Sequence, residues 1–310
     1  MSVATSPTRP ERSRWFKLVW ILPLVVVGLA LIVLAAMYVR GLPAVQSFMR
    51  TYPGQSALPA GTAVGFPAWL AWQHFLSAFF LLFMIRTGWQ VRTTKRPAAY
   101  WTRNNNGVLR TRNAPARISL TLWFHLSVDI LWILNGILFY VLLFSTGQWA
   151  RIIPVHWNIF PNAVSVGIQY ASLHWPMDDG WDNYNALQVL SYFAVVFLAA
   201  PLAIVTGVRM APGLAVRLQK LDRIYPVAVA RRIHFPTMIF FVAFIVVHVT
   251  LVLATGALRN LNHMYALRDD QSWVGFGIFA GSVVLMALAW FAFRPSILAA
   301  AAGLTGSVRR

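Results

Sequence analysis

The chain has 310 residues, of which 58% are hydrophobic and only 11% are charged, and its mean hydropathy is +0.62. This composition lies outside the range of soluble globular domains and predicts an all-α integral membrane protein, a helical bundle with the bilayer as its solvent. The chain contains no cysteine, which excludes disulfides, thiolate-held iron–sulfur clusters and covalent haem attachment through a CxxCH motif.

Six apolar stretches are long enough to cross a membrane as helices. They run over residues 18–39, 66–85, 118–145, 185–206, 233–256 and 273–293. They are spread along the whole chain, so we expect one membrane domain over residues 1–310. The first stretch follows a basic tail and has no A-x-A-like cleavage site, which favours a retained anchor over a signal peptide.

The basic residues alternate between the two sides of the predicted spans. All but five of the 26 Lys and Arg residues fall in the N-terminal tail, the 86–117 loop, the 207–232 loop and the C-terminal tail. The five on the other side are Arg40, Arg50, Arg151, Arg259 and Arg268. The positive-inside rule therefore predicts a multi-pass protein of the cytoplasmic membrane with both termini in the cytoplasm. This pattern accounts for the net charge of +18 without a nucleic-acid partner.

Spans two to five are each predicted to end at the same dipeptide, Thr-Gly. The four copies are Thr87-Gly88, Thr146-Gly147, Thr206-Gly207 and Thr255-Gly256. Glycine adopts the left-handed conformation of a helix C-cap without strain, so the dipeptides are predicted to stop the helices. They also provide reference points for the depth of other residues in the membrane.

Four of the seven histidines lie within the predicted spans: His74, His125, His234 and His248. An ionisable side chain is costly inside a membrane, so a functional role is the default expectation. His234 and His248 are 14 residues apart, which is nearly four helical turns and places both on one helix face about 21 Å apart. One helix is therefore expected to serve two sites stacked across the bilayer.

His125 and His74 are predicted to lie at the same depths as His234 and His248, respectively. His125 and His234 each lie 22 residues before the glycine that ends their span, close to the predicted cytoplasmic face. His74 and His248 are both expected about 12 Å from the outer boundary. The sequence thus predicts two pairs, each suited to the two axial nitrogens of a b-type haem. Neither an HExxH motif nor a 2-His-1-carboxylate cluster is present, which disfavours other metal centres.

At these residues the chain resembles the membrane cytochrome b subunits of bacterial formate dehydrogenase, nickel–iron hydrogenase and thiosulfate reductase. Their four-helix core carries one haem ligand on the first helix, one on the second and two, 14 residues apart, on the fourth. The resemblance covers residues 66–256 and implies that His74, His125, His234 and His248 bind the iron of two b haems. The third helix, NALQVLSYFAVVFLAAPLAIVTG, is similar too. The spans 18–39 and 273–293 are additions to that core.

The resemblance implies a dihaem electron-transfer subunit that also anchors its partner, an oxidoreductase with iron–sulfur or molybdenum centres, and exchanges electrons with a quinone. Two other classes stay open. A non-redox transporter or assembly anchor would use the histidines as proton or metal relays. A ferric-reductase-like protein would need ligand pairs on two helices, and only one helix has a pair here.

Other polar residues have two interpretations each. Asp129 lies four residues after His125 on the same helix face, where it serves either as a proton carrier for a quinone or as a hydrogen-bonding neighbour of the site. Arg117, Arg231 and Arg232 would either pair with haem propionates or only flank the spans. His263 is expected to be a surface histidine.

Overall fold

The structure, a computed structural model, describes residues 14–106, 110–111, 114–175, 180–213 and 219–310. Within these residues, six helices are long and apolar enough to cross a membrane: Val19–Gly41, Ala68–Thr93, Leu120–Ser145, Ala186–Met210, Val227–Ala254 and Val274–Ala292. The predicted all-α membrane bundle of six spans is thereby confirmed.

The first half of the chain carries α1 (Arg14–Gly41), α2 (Pro43–Thr51), α3 (Ala68–Thr93), β1 (Tyr100–Arg103), β2 (Arg117–Ser119), α4 (Leu120–Ser145), a 3₁₀ turn (Gln148–Arg151) and α5 (Ile159–Ala171). The second half carries α6 (Ala186–Phe193), a π-helical turn (Ala194–Ala199), α7 (Ala200–Met210), a 3₁₀ turn (Gln219–Arg223), α8 (Val227–Ala254), α9 (Ala257–Leu261), a π-helical turn (Asn262–Ala266), α10 (Val274–Ala292), α11 (Pro295–Gly303) and β3 (Gly306–Arg309).

The fourth span is made of α6, the π-helical turn Ala194–Ala199 and α7. A capping box formed by Asn185 and Gln188 starts it, which satisfies two of the free N–H groups at the helix N-terminus. The π-helical turn precedes Pro201, which has no N–H for the helix ladder. Tyr140 on α4 donates its hydroxyl hydrogen to the carbonyl of Val196 at 2.6 Å. A side chain from a neighbouring helix thus satisfies a backbone acceptor at the irregular turn, as the apolar interior requires.

The bundle has two ends that differ in charge. We call the end with the α3–α4 loop, the α7–α8 loop and the C-terminus the basic end, because most of the Lys and Arg residues lie there. The end with the loops after α1, α4 and α8 is the far end. At the basic end an antiparallel sheet of order β2-β1-β3 joins the C-terminus to the α3–α4 loop. These short strands were not predicted from the sequence.

The first and last spans differ in how they join the core. Phe83, Phe124 and Val128 form a buried cluster between α3 and α4, and Ala289 of α10 packs against it together with Phe293 and Leu298, which follow α10. The α1 helix, in contrast, has none of its most apolar window buried and contacts α2 and α5. The last span is therefore part of the packed bundle, whereas α1 lies at its periphery with its side chains exposed.

The buried Asn262 connects the last span to the far end. Its side-chain nitrogen donates to the carbonyl of Ser272 at 2.7 Å, and its side-chain oxygen accepts the N–H of Gly275 at 2.6 Å. Gly275 lies so close to the preceding segment that an added Cβ would be 2.5 Å from the backbone of Leu261. Only glycine allows this approach of α10 to the α9 segment.

Candidate functional site

The far-end pair consists of His74 on α3 and His248 on α8. Their ring centroids are 6.2 Å apart, with an angle of 58° between the ring planes. The ring of Tyr265 packs edge-on against His74 at 5.9 Å. On the other side, Phe244 stacks on His248 at 5.5 Å and Tyr192 contacts it edge-on at 6.1 Å. The structure therefore brings the two histidines together in an aromatic environment, as the depth comparison predicted.

The spacing of this pair fits the binding of one metal ion between the two rings. A metal–imidazole nitrogen bond is about 2.0 Å and the ring centre lies roughly 1 Å beyond the nitrogen, so two rings on one ion have centroids about 6 Å apart. The Nδ1 atom of His74 is buried and has no hydrogen-bond partner among the described residues, so no hydrogen bond at this atom fixes the tautomer of the ring. Two neutral imidazoles without a carboxylate or thiolate are the donor set of a bis-histidine b haem.

The basic-end pair consists of His125 on α4 and His234 on α8. Each ring is held through its Nδ1 atom by a threonine of a neighbouring helix. The hydroxyl of Thr87 on α3 is 2.7 Å from Nδ1 of His125, and the hydroxyl of Thr206 on α7 is 2.8 Å from Nδ1 of His234. Both threonines are buried, with 1% and 0% of their surface exposed. The four core spans thus meet at this pair.

The direction of these hydrogen bonds follows from the second contact of each hydroxyl. Thr87 lies 2.6 Å from the carbonyl of Phe83, and Thr206 lies 2.7 Å from the carbonyl of Leu202. A carbonyl oxygen only accepts, so each hydroxyl hydrogen must point to it. The hydroxyl oxygen then accepts the Nδ1–H of the histidine, and Nε2 keeps its lone pair. This network favours the tautomer in which Nε2 carries the lone pair and is free to act as an acceptor.

The same contacts correct the prediction that all four Thr-Gly dipeptides end helices. Thr146 and Thr255 are C-cap residues, and the glycines that follow have φ of +74° and +118°. Thr87 and Thr206, however, lie inside α3 and α7, which continue to Thr93 and Met210. On the basic side, both helices therefore extend beyond their apolar stretches.

The glycines of these two internal dipeptides lie against the imidazole rings. A Cβ added at Gly88 would lie 3.5 Å from Cε1 of His125, and one added at Gly207 would lie 3.4 Å from Cε1 of His234. A methyl group would already touch the ring, and a larger side chain would press on it. The dipeptide Thr-Gly therefore supplies both an acceptor for Nδ1 and the space for the ring.

Asp129 lies beside the basic-end pair. Its Oδ2 atom is 3.6 Å from Nε2 of His125, which is too long for a hydrogen bond. The side chain is about one quarter exposed. The carboxylate thus faces Nε2 of His125 without forming a hydrogen bond to it, and both interpretations of Asp129 given above remain hypotheses.

The arginines expected near the basic-end pair are exposed. Arg231 and Arg232 lie on the surface, and the guanidinium of Arg117 lies 4.2 Å from the ring centre of Tyr100. The buried arginines of the described chain are Arg151 and Arg209, each with 2% of its surface exposed. Sequence reasoning missed both, because a single arginine next to a span reads as a flanking charge.

Arg151 joins three segments at the far end. Its guanidinium donates to the carbonyls of Gly65 and Trp181 at 3.0 Å and of Gly180 at 2.6 Å. It lies 4.9 Å from the ring centre of Tyr184. Burial raises the pKa of Tyr184 to about 12, against the opposing effect of the Arg151 charge, so the phenol stays neutral. Nε of Arg151 has no partner among the described residues.

His263 is not the surface residue that was expected. Only 3% of its surface is exposed, its Nε2 is 2.8 Å from Oδ1 of Asp269, and its ring packs 5.3 Å from that of Trp181. The hydrogen bond from Arg259, followed by the one from His263, lowers the pKa of Asp269 to about 2. The prediction failed because the loop after α9 folds back over the far end, which local sequence does not reveal.

Within the described residues, no group of three or more His, Cys, Asp or Glu side chains is arranged to hold a metal ion. Fold and site define the class of the protein: an integral membrane helical bundle with two histidine pairs at different depths. Comparison of the chain with protein-family models, curated proteins and solved structures gives no match.

Proposed function

We propose that the chain is a membrane dihaem cytochrome b. In this proposal it transfers electrons across the membrane between a quinone pool and a partner oxidoreductase and also anchors that partner. The observation that supports it best is the far-end pair, whose ring centroids, 6.2 Å apart, have a separation that would allow both imidazoles to hold one iron. The basic-end pair adds a second site with both Nε2 atoms available.

Haem bound at each pair would supply a one-electron redox couple. The chain's own part is to hold these sites at fixed depths. His234 and His248 lie on the continuous helix α8, so the two sites are separated by about 21 Å along the helix axis. His125 and His74 complete them from α4 and α3. Histidine is the only ligand type in this set, which suits a cysteine-free chain.

A groove beside the basic-end pair is a candidate quinone site. It has a volume of about 480 Å³ and opens to the outside of the bundle between α3, α8 and α10. Its walls are mainly apolar, with Arg86 and Gln90 as polar groups. Met238, which lines it, would be 3.6 Å from a Cβ added at Gly88, and that same Cβ would be 3.5 Å from the ring of His125. An apolar groove with few polar groups suits a quinone that diffuses in lipid.

We also propose that the protein lies in the cytoplasmic membrane with its basic end and both termini in the cytoplasm. The distribution of Lys and Arg supports this orientation, and the even number of spans is consistent with it. The partner oxidoreductase and the quinone are parts of the same proposal, implied by the resemblance of the four-helix core.

The test is haem quantification in purified protein. We expect a b-type reduced-minus-oxidised spectrum and two haems per chain by pyridine haemochrome analysis. The variant His248→Ala removes one ligand of the far-end pair and is expected to retain about half of the haem, because a single imidazole leaves the iron half held. The matched control His156→Ala changes an exposed histidine of the far-end loops and is expected to leave the haem content unchanged.

Colourless protein from cells supplied with haem would contradict the proposal. That result would favour a transporter or assembly anchor that uses its histidines as relays. Equal haem loss in His248→Ala and His156→Ala would remove the far-end pair as a haem site.

A further inference from the structure

We infer that the hydroxyls of Thr87 and Thr206 are positioning groups that make the two haem sites chemically unequal. They fix the basic-end histidines through Nδ1 and strengthen them as ligands, while the far-end site lacks this device at His74. The inference rests on the proposed function, since it concerns how the chain would hold its haems. It adds a role for two residues that composition and spacing marked only as helix ends.

The first step is the geometry at the basic end. Thr87 and Thr206 come from different helices, α3 and α7, yet each makes the same short contacts, one to a carbonyl a turn earlier and one to a histidine Nδ1. A second carbonyl, of Met84 or Ala203, lies further away at 3.3 or 3.0 Å. In each case the histidine N–H donates to the threonine hydroxyl, and the hydroxyl donates to the carbonyl. Hydrogen bonds linked in this way polarise one another. Both histidines of the pair therefore carry a polarised Nδ1–H.

The second step is the contrast with the far end. The Nδ1 atom of His74 is buried and has no partner among the described residues, and its nearest ring neighbours are His248 and Tyr265. In the described structure no hydroxyl takes the place that Thr87 has beside His125. An imidazole that donates its second N–H is a more basic ligand than one that does not.

The third step is the consequence for the metal. A more basic imidazole stabilises the ferric state over the ferrous state, which lowers the reduction potential of the bound haem. It also fixes the ring orientation, which strengthens binding. We therefore expect the basic-end haem to be the more tightly held of the two, and expect its potential to depend on Thr87 and Thr206.

The chain contains its own matched controls. Thr146 belongs to the same dipeptide, Thr-Gly, and its hydroxyl donates to the carbonyl of Leu142 at 2.7 Å, but it caps α4 at the far end and is exposed. Thr237 on α8 is buried, and its hydroxyl donates to the carbonyl of Ile233 at 2.9 Å. Replacing either with valine removes the same hydroxyl group without removing an acceptor from a histidine.

The experiment is a spectroelectrochemical titration of purified protein that resolves the two haems, combined with haem quantification. In Thr87→Val and Thr206→Val we expect one of the two potentials to move upward while the other stays constant. Haem affinity at that site should fall about 10- to 100-fold, the usual effect of losing a partner of a metal ligand. Thr87→Ser and Thr206→Ser keep the hydroxyl and should restore both properties.

Three results would overturn the inference. They are equal shifts of both potentials, no shift in either valine variant, and shifts of the same size in Thr146→Val or Thr237→Val. Loss of haem in the serine variants would show that the threonines act through packing alone, which also overturns it. Absence of haem from the wild-type protein would instead reject the proposed function, so the two failures are distinguishable.

Discussion

Identical residues acquire different roles in this protein according to what packs against them. Thr87 and Thr146 both precede a glycine and both donate a hydrogen to a carbonyl four residues earlier. Only Thr87 also faces a histidine from another helix. The local sequence therefore predicts the hydrogen bond within the helix, but not the second one, which depends on a residue 38 positions away.

A second single residue, Arg151, is expected to stabilise the far end through its hydrogen bonds. Its replacement by methionine removes the Arg151 donor from the carbonyls of Gly65 and Gly180, and leaves the carbonyl of Trp181 with the backbone N–H of Gly65 alone. Because unsatisfied buried acceptors are costly, we expect a loss of about 2–4 kcal/mol in the free energy of unfolding. The measurement is chemical or thermal unfolding of the purified protein in detergent.

The control for this variant is Arg50→Met, which changes an exposed arginine on the same side of the bundle. We expect its stability to stay within about 0.5 kcal/mol of wild type. A similar loss in both variants would mean that net charge, and not the three hydrogen bonds of Arg151, determines the stability of the far end.

The helices show where apolar length is a good guide and where it is not. The far-end limits of α4 and α8 agree closely with the predicted span ends, because a left-handed glycine follows each. The basic-end limits of α3 and α7 lie beyond the predicted ends, at Thr93 and Met210. Polar and charged residues continue a helix readily once it has left the apolar region, so hydropathy underestimates its length.

The attachment of the last span to the core is predicted to depend on Gly275. In Gly275→Ala the new methyl group would overlap the backbone of Leu261 and Asn262, and α10 would have to shift. We expect a destabilisation of about 1–3 kcal/mol, as is usual for overpacking, measured as a lower unfolding temperature in detergent.

Gly277→Ala is the matched control, because a Cβ at Gly277 meets nothing within 4 Å. This change is expected to be neutral or stabilising by up to about 1 kcal/mol, since alanine is the better helix former. If the two variants were equally unstable, the close approach at Gly275 would not be what joins α10 to the bundle.

At the scale of the whole molecule, the two ends of the bundle differ in charge and in structure. The basic end carries the small sheet that joins the C-terminus to the α3–α4 loop. The far end is closed by loops that Arg151, Asn262 and His263 connect. The two histidine pairs lie between these ends at different depths. The two ends of the molecule are therefore not equivalent.

The orientation of the whole molecule can be tested with single cysteines, because the chain has none of its own. In intact cells, a membrane-impermeant maleimide is expected to label Gln55→Cys at the far end. It should label Arg310→Cys at the C-terminus only after lysis, because the basic end is predicted to face the cytoplasm. The unsubstituted chain is the control for background labelling. Labelling of Arg310→Cys in intact cells would reverse the proposed orientation.

The sequence alone was sufficient for the class of fold and the six spans, and it predicted the pairing of His74 with His248 and of His125 with His234. Apolar length and helical period are local properties, and the bilayer converts them directly into depth. Two residues at equal depth on neighbouring helices are then expected to lie side by side.

Only the tertiary structure decided which side chains surround those pairs. The contacts of Thr87 with His125 and of Thr206 with His234, the burial of Arg151 and His263, and the strand pairing of the C-terminus all join segments far apart in the chain. Hydrogen bonds of this kind depend on helix rotation and spacing to within a fraction of an ångström, and the packing of the whole bundle sets both. The sequence therefore located the histidines, and the fold determined how each of them is held.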